Sequence, residues 1–301
     1  MKITIIGGTG LMDPFLVKRL VDAGHLVTCI NRRGQSSCTS AIACDRRDRN
    51  ALAKVMASLK HDVIIDMIPF IQSDAEILCE IFADRKDIKL VAVSSIDVYQ
   101  DYGRLHRTET GPYRTCPISE TDPLRELPSI RQEYYYKIGV DRAYLKHFKN
   151  VSILRMPAIY GWPDTSRIQR DFDALPNEDK TLKMHPLLAN WGSTRASAPD
   201  CAYAIFPTLE QTGQHIYNVG EEELLSEEAW FHAIWTAAGE KGNIVYDESA
   251  EIPFDVDLKQ CWHVDTQKIR KELGYQETTN RSEILAHNIR ELRKSENLAA
   301  R

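Results

Sequence analysis

Gly7-Gly8-Thr9-Gly10 is the stretch whose residue types most directly imply chemistry. Without Cβ atoms, backbone N–H groups can approach a pyrophosphate closely, and a helix starting just behind them adds a favourable dipole. The run before the turn, Lys2-Ile3-Thr4-Ile5-Ile6, is apolar and β-branched, the pattern of a strand buried on both faces. After it, Leu11, Phe15, Leu16 and Leu20 fall at helical spacing up to a glycine stop at Gly24, and Leu26 to Ile30 reads as a second strand. Strand, glycine turn, helix and strand in that order predict a dinucleotide site. An acid closing the second strand would bind the adenosine ribose of NAD, whereas arginine accommodates the additional phosphate of NADP. The chain offers Asn31-Arg32-Arg33, so NADP(H) is the expected cofactor and NAD the alternative; a solvated basic loop is the plainer reading of the same residues. Asp13 stands where a third glycine is common. Its carboxylate either faces the pyrophosphate with like charge or sits with Pro14 in the first helical turn, where an acid suits the dipole; Pro14 favours the second.

The elements that must hold this turn alternate along the chain. Ala41–Cys44 reads as a short strand ending at Asp45, followed by a helix from Arg49 to Leu59 and a strand from Asp62 to Asp66. Pro69 turns the chain into a helix from Ile71 to Ala83, and Leu90–Ser95 is the next strand. A loop of some thirty residues, Ile96 to Pro128, is long enough to be functional. A helix from Ile130 to Phe148 and a strand from Val151 to Arg155 follow. This rhythm predicts an α/β fold, a Rossmann-type doubly wound parallel sheet with ligands at the strands' carboxyl ends. Residues 162 to 197 show no clean periodicity. They, with a strand at His215–Val219, a helix at Glu227–Ala238 and a closing helix from Arg281 to Asn297, predict a smaller mixed α/β substrate lobe. The expected division is 1–160, with about 198–210, for the dinucleotide-binding domain, and 161–197 with 211–301 for the lobe.

Composition removes several function classes. With 38 basic and 43 acidic residues the net charge is −5, which argues against a nucleic-acid surface or an anionic membrane. Met1 leads straight into the first strand, so no signal peptide is expected, and no apolar run approaches membrane-spanning length. The seven cysteines are scattered without a C-x-x-C pair, read as reduced thiols of a cytoplasmic protein, and the histidines form no close ligand pair, so no metal is expected. A small-molecule substrate is the expected partner, with a homodimer as the candidate assembly.

Beyond the turn, several ordered motifs resemble the extended short-chain dehydrogenase/reductase family, its NAD-dependent epimerase/dehydratase group. Gly7-Gly8-Thr9-Gly10 is similar to its opening turn and Asp45 to the acid that contacts adenine. Val93-Ser94-Ser95-Ile96-Asp97-Val98-Tyr99 resembles its fifth-strand signature, which implies a catalytic role for Ser95. Leu154 to Gly161, with Pro157, is similar to the segment bordering the nicotinamide, and Asn218-Val219-Gly220 and Asp265 through Tyr275 resemble its C-terminal pattern. The expected cofactor contacts are Gly7, Thr9, Gly10, Leu11, Met12, Asn31, Arg32, Arg33, Asp45, Met67, Lys137 and Pro157.

The family places a tyrosine four residues before a lysine on one helix, so that one turn brings both side chains together and the ammonium lowers the phenol's pKa. Lys137 is present, but the position four before it is Glu133, and Tyr134, Tyr135 and Tyr136 lie between. Three readings stay open: Tyr134 as proton-transfer group, Glu133 as acid or base, or a tyrosine cluster that only packs. The function implied is an NADP(H)-dependent oxidoreductase or epimerase/dehydratase-like enzyme acting on a polar small molecule such as a nucleotide sugar or specialised metabolite. The alternative is a non-catalytic or redox-neutral dinucleotide-binding member acting as a sensor or structural protein. An RNA-binding relative is disfavoured by the charge.

Overall fold

The computed structural model describes residues 1–126, 135–163, 166–174, 181–252 and 255–299. Its first half alternates strand and helix: β1 (Lys2–Ile6), α1 (Asp13–Asp22), β2 (Leu26–Asn31), β3 (Ser40–Ala43), α2 (Arg49–Ser58), β4 (Val63–Asp66), α3 (Gln72–Ile81) and β5 (Lys89–Ser95). Two short helical pieces follow, a 3-10 turn at Ile96–Val98 and α4 (Gln100–Leu105). After α5 (Lys137–His147) and β6 (Asn150–Met156) come β7 (Ala158–Tyr160), α6 (Ser166–Asp173), β8 (Thr181–Met184), α7 (Pro186–Asn190), β9 (Arg195–Ser197) and α8 (Ala198–Ile205). The chain ends with β10 (Gln214–Asn218), α9 (Glu227–Ala238), β11 (Asn243–Tyr246), α10 (Gln267–Leu273) and α11 (Arg281–Ala299).

Seven strands form one parallel sheet in the order β10-β6-β5-β4-β1-β2-β3. Side chains on a strand alternate between faces, and β1 shows the result. Ile3 and Ile5 pack with Leu16, Leu20, Ala202 and Ile205 of α1 and α8. Ile6 packs with Leu52, Leu78 and Tyr144 of α2, α3 and α5 on the other side. Burying such a side chain fully stabilises the fold by roughly 1.5–3 kcal/mol, so a sheet apolar on both faces demands both helical layers. The neighbours of β1 are β2 and β4, so the chain order reverses where Gly7 leaves the sheet, the place at which open α/β sheets bind ligands.

A second core gathers Trp230, Phe231, Ile234 and Trp235 of α9 with Leu285 and Ile289 of α11. Ser226 caps α9 by accepting from Ala229 N at 3.2 Å, and Gly239 ends it at φ 75°, as its sequence predicts.

The structure departs from the sequence expectations in several places. The helix expected from Ile130 begins at Lys137 among the described residues. Tyr136 is non-helical, at φ −143° and ψ 74°, and its N–H donates to Phe70 O at 2.6 Å; the loop after β4 thus takes the hydrogen bond that a helical turn would have used. The loop after β5 is partly helical. It is also tied down by a disulfide between Cys116 and Cys261, so these two cysteines are not the reduced thiols expected. A separation of 145 residues hides that proximity from any spacing rule. Between 161 and 197, where periodicity fails, the elements α6, β8, α7 and β9 are each too short to display a period. Finally, β10 pairs with β6 in the central sheet, so a boundary at 211 assigns to the lobe a strand that belongs to the dinucleotide-binding sheet.

Candidate active site

Gly7 and Gly8 carry φ of 120° and 91°, backbone that side chains rarely adopt, and a Cβ on Gly8 would stand 2.7 Å from Cys29 Sγ. The turn therefore requires glycine. Asp13, the first residue of α1, is 3% exposed. Its Oδ2 accepts from Gly10 N, while its Oδ1 is buried with no partner. Burial pushes the carboxyl pKa up, against the N–H groups of Gly10, Gly8 and Thr9, which pull it down. Asp13 thus lies in the first helical turn and also faces the glycine turn, where it holds an amide that a pyrophosphate would use.

A cleft of about 410 Å³ runs from Gly7, Thr9, Gly10 and Asp13 to Asn31, Arg32, Arg33 and Asp45. Asn31 shapes its far wall: Nδ2 donates to Gln35 O at 2.9 Å and Oδ1 accepts from Arg33 N at 3.1 Å. Arg32 and Arg33 are exposed. Asp45 is exposed too and accepts from Arg47 N at 2.9 Å. The next arginine points inward, with Arg46 bound to Asp66 at 2.6 Å.

Leu11, Met12, Met67, Ser95, Lys137 and Pro157 line a neighbouring cleft of about 400 Å³, together with Asp97 and Tyr135. Lys137 Nζ donates to Val93 O at 2.9 Å and stands 5.1 Å from the Phe70 ring centroid and 5.7 Å from that of Tyr135. Burial lowers its pKa to about 8. The Tyr135 hydroxyl is hydrogen-bonded to Ser95 and to the Asp97 carboxylate. Burial and then the Asp97 charge push the phenol pKa far up. The Asp97 carboxyl is raised by burial too, with Ser95, Arg125, Lys137 and Tyr135 opposing, and its Oδ1 has no partner. Glu133 and Tyr134 lie outside the described residues.

The geometry therefore joins Ser95 and Lys137 to a phenol that helical spacing overlooked. Tyr135 is only two residues before Lys137, and a residue at that offset on a helix would not share its face. It reaches the cleft because it precedes the helix. Asp97 was visible within the fifth-strand signature, and its nearness to Tyr135 was not.

A third cavity, about 380 Å³, shares Tyr102, Ala158 and Trp262 with the second and extends to Trp191, Arg195 and Trp230. The two are thus continuous.

Residues 3–119 match the model of the NAD dependent epimerase/dehydratase family. That match spans β1 to β5 and the loop after them, so the first part of the chain is similar to this family. Among solved structures it is similar to the UDP-N-acetylglucosamine 4-epimerase of Bacillus cereus, at 17% identity and TM-score 0.73, covering 97% of this chain and 99% of that one. It is also similar to the dTDP-glucose 4,6-dehydratase of Bacillus anthracis, solved in complex with NAD, at 17% identity and TM-score 0.72 over 99% and 98% of the two chains. The UDP-Glc/GlcNAc 4-epimerase of Campylobacter jejuni matches at 16% identity and TM-score 0.73 over 96% and 98%. At such identities the likeness is one of fold. No curated protein matches the chain by sequence. The cleft fits the nicotinamide dinucleotide of this family: a cradle that only glycine can form, exposed arginines at one end and a buried lysine at the other. Among the cradle's residues Asp13 is the one in conflict with an anion, since its bond to Gly10 N and a phosphate's are mutually exclusive. No helix among the described residues is long and apolar enough to cross a membrane.

Proposed function

We propose that the protein is an NADP(H)-dependent enzyme that moves a hydride at the hydroxyl- or carbonyl-bearing carbon of a small molecule, with Tyr135 as the proton-transfer group. The observation that carries this reading is the Tyr135 hydroxyl held by Ser95 and Asp97 at the carboxyl end of β5, beside Lys137, in a cleft that continues into the glycine turn. Gly7 to Gly10 would hold the pyrophosphate, Arg32 and Arg33 the additional phosphate, Asp45 the adenine and Lys137 the ribose next to the nicotinamide. Bound there, the nicotinamide supplies or takes the hydride.

The chain's own residues handle the proton. In the reducing direction the Tyr135 proton passes to the oxygen of the carbonyl as that oxygen becomes an alcohol, and Ser95 donates a hydrogen bond to the same oxygen. The raised phenol pKa keeps Tyr135 protonated at neutral pH, and the alkoxide that forms on the substrate is basic enough to take that proton. Asp97, hydrogen-bonded to the phenol, then relays a replacement proton. The reverse sequence oxidises an alcohol, and the two in succession on opposite faces invert a carbon centre. Asp13 on the turn's amide favours a second reading, a dinucleotide-binding sensor without turnover.

Calorimetry with NADPH and NADH, joined to a carbonyl panel followed by loss of the reduced nicotinamide's absorbance, tests the proposal. A charge-assisted arginine–phosphate contact is worth roughly 1.5–3 kcal/mol, so NADPH should bind about tenfold or more tighter, and Arg32→Ala should remove that advantage while leaving NADH alone. Equal affinities sink the NADP preference. Tight binding without turnover of any carbonyl or alcohol supports the sensor.

A further inference from the structure

The third cavity departs from what a nucleotide sugar needs. Its wall is aromatic: Tyr102 and Trp262 meet at a tilt of 52° with centroids 5.3 Å apart where it joins the Ser95–Tyr135 cleft, and Trp191 and Trp230 continue the surface. The polar groups are spent on one another. Arg195 is paired with Glu227, and its guanidinium lies 4.5 Å from the Trp230 ring centroid. Trp230 Nε1 donates to Asp171 Oδ2 at 2.9 Å, and Trp191 Nε1 donates to Gln260 O at 3.0 Å. Among the described lining residues Arg195 is the one guanidinium or ammonium, against Asp171 and Glu227, both 1% exposed. Burial lowers the pKa of His106, so its imidazole adds no charge at neutral pH.

A diphosphate carries two negative charges. Placing it beside two buried carboxylates and a guanidinium already neutralised would leave charge unpaired at low dielectric, which strongly disfavours binding. An uncharged ring meets no such penalty and gains from stacking against Tyr102, Trp191 and Trp262. We infer that this cavity takes an uncharged, planar ring-bearing alcohol or carbonyl compound without phosphate groups. Its reacting carbon would lie at the Tyr102–Trp262 junction, facing Ser95 and Tyr135. The inference rests on the proposed function for where the reacting carbon sits, and on the cavity alone for the class of ligand.

The test is calorimetry on the full chain with three probes: benzylideneacetone as a neutral aromatic enone, phenethylamine as a cationic ring, and UDP-glucose. Binding of the enone is expected, weakened about tenfold by Trp262→Ala or by Trp191→Ala; Trp191 is half-buried and carries the test if the Trp262 variant does not fold. UDP-glucose is expected to give no heat at the same concentration. Three results would overturn the assignment: tighter binding of UDP-glucose, binding of the amine alone, or enone binding indifferent to both tryptophans. Adding NADPH to the enone and NADP+ to UDP-glucose separates the two claims. Enone that binds but is never reduced leaves the cavity's class intact and counts against the oxidoreductase reading only together with failure of the whole carbonyl and alcohol panel; turnover of UDP-glucose supports that reading and overturns the cavity's class.

Discussion

Tyr135 shows what residue-level reading can and cannot reach. Residue types and helical spacing pointed to Tyr134 or Glu133 as the partner of Ser95 and Lys137; Tyr135 was not legible, because its place depends on a backbone that leaves helical geometry before Lys137. Tyr135→Phe keeps the ring against Phe70 and removes only the hydroxyl. Since general acid–base groups contribute about 10²–10⁴-fold, kcat should fall by that factor, while Glu133→Gln and Tyr134→Phe stay near wild type; steady-state rates on any confirmed substrate decide it. Ser95→Ala should cost less than Tyr135→Phe. Asp13 makes a second residue-scale prediction. Its pKa is raised in the fold, so the folded chain holds that proton more firmly than the unfolded one. The ionised carboxylate therefore costs stability at neutral pH, and this cost vanishes as pH falls through the folded value towards the unfolded one. A protonated Asp13 also no longer repels a pyrophosphate. NAD, whose phosphates do not titrate in this range, should bind more tightly as pH drops from neutrality, and Asp13→Asn should flatten that slope in calorimetry. With one charged competitor removed from Gly10 N, affinity at neutral pH should rise about tenfold. An unchanged slope would show that Asp13 swings clear of the ligand.

At the scale of elements, the parallel sheet was readable because its strands are apolar on both faces and separated by helical periods. β1, β2, β4, β5, β6 and β10 lie within a residue or two of their sequence boundaries. The loop after β5 and the segment after β7 were not readable. Their order comes from long-range ties: Ile118 N donates to His263 O at 2.7 Å, Asn218 Nδ2 donates to Ile118 O at 3.1 Å, and Cys116 is bonded to Cys261. The covalent tie anchors the loop beside Trp262, which lines both the Ser95–Tyr135 cleft and the aromatic cavity. Disulfides closing long loops typically stabilise by about 2–4 kcal/mol. Cys116→Ser should therefore lower the melting temperature and loosen ligand binding at Trp262, and a reductant should bring the wild type down to the variant's level while leaving the variant unmoved. If reductant shifts both proteins equally, the tie is not formed in solution.

For the molecule as a whole, cofactor and fold are linked. The glycine turn, the Arg32–Arg33 loop and Lys137 belong to separate elements, ordered around the carboxyl ends of β1, β2 and β5. A dinucleotide that spans them binds the folded chain and not the unfolded one, and at a hundred times its dissociation constant it stabilises by about 2.7 kcal/mol. For a chain of this size each kcal/mol moves the melting temperature by roughly 2 °C, so NADPH at that concentration should raise it by about 5 °C. NADH at the same concentration, bound about tenfold more weakly, should lag by roughly 1.4 kcal/mol, or about 3 °C. Arg32→Ala should close the gap between the two cofactors from the NADPH side. Lys137→Met should diminish both shifts together, because the ribose next to the nicotinamide is common to both. A thermal melt with each cofactor therefore separates the two ends of the cleft. A gap that survives Arg32→Ala would place the phosphate on Arg33 or elsewhere, and shifts indifferent to Lys137→Met would mean that the dinucleotide does not reach the Ser95–Tyr135 cleft at all.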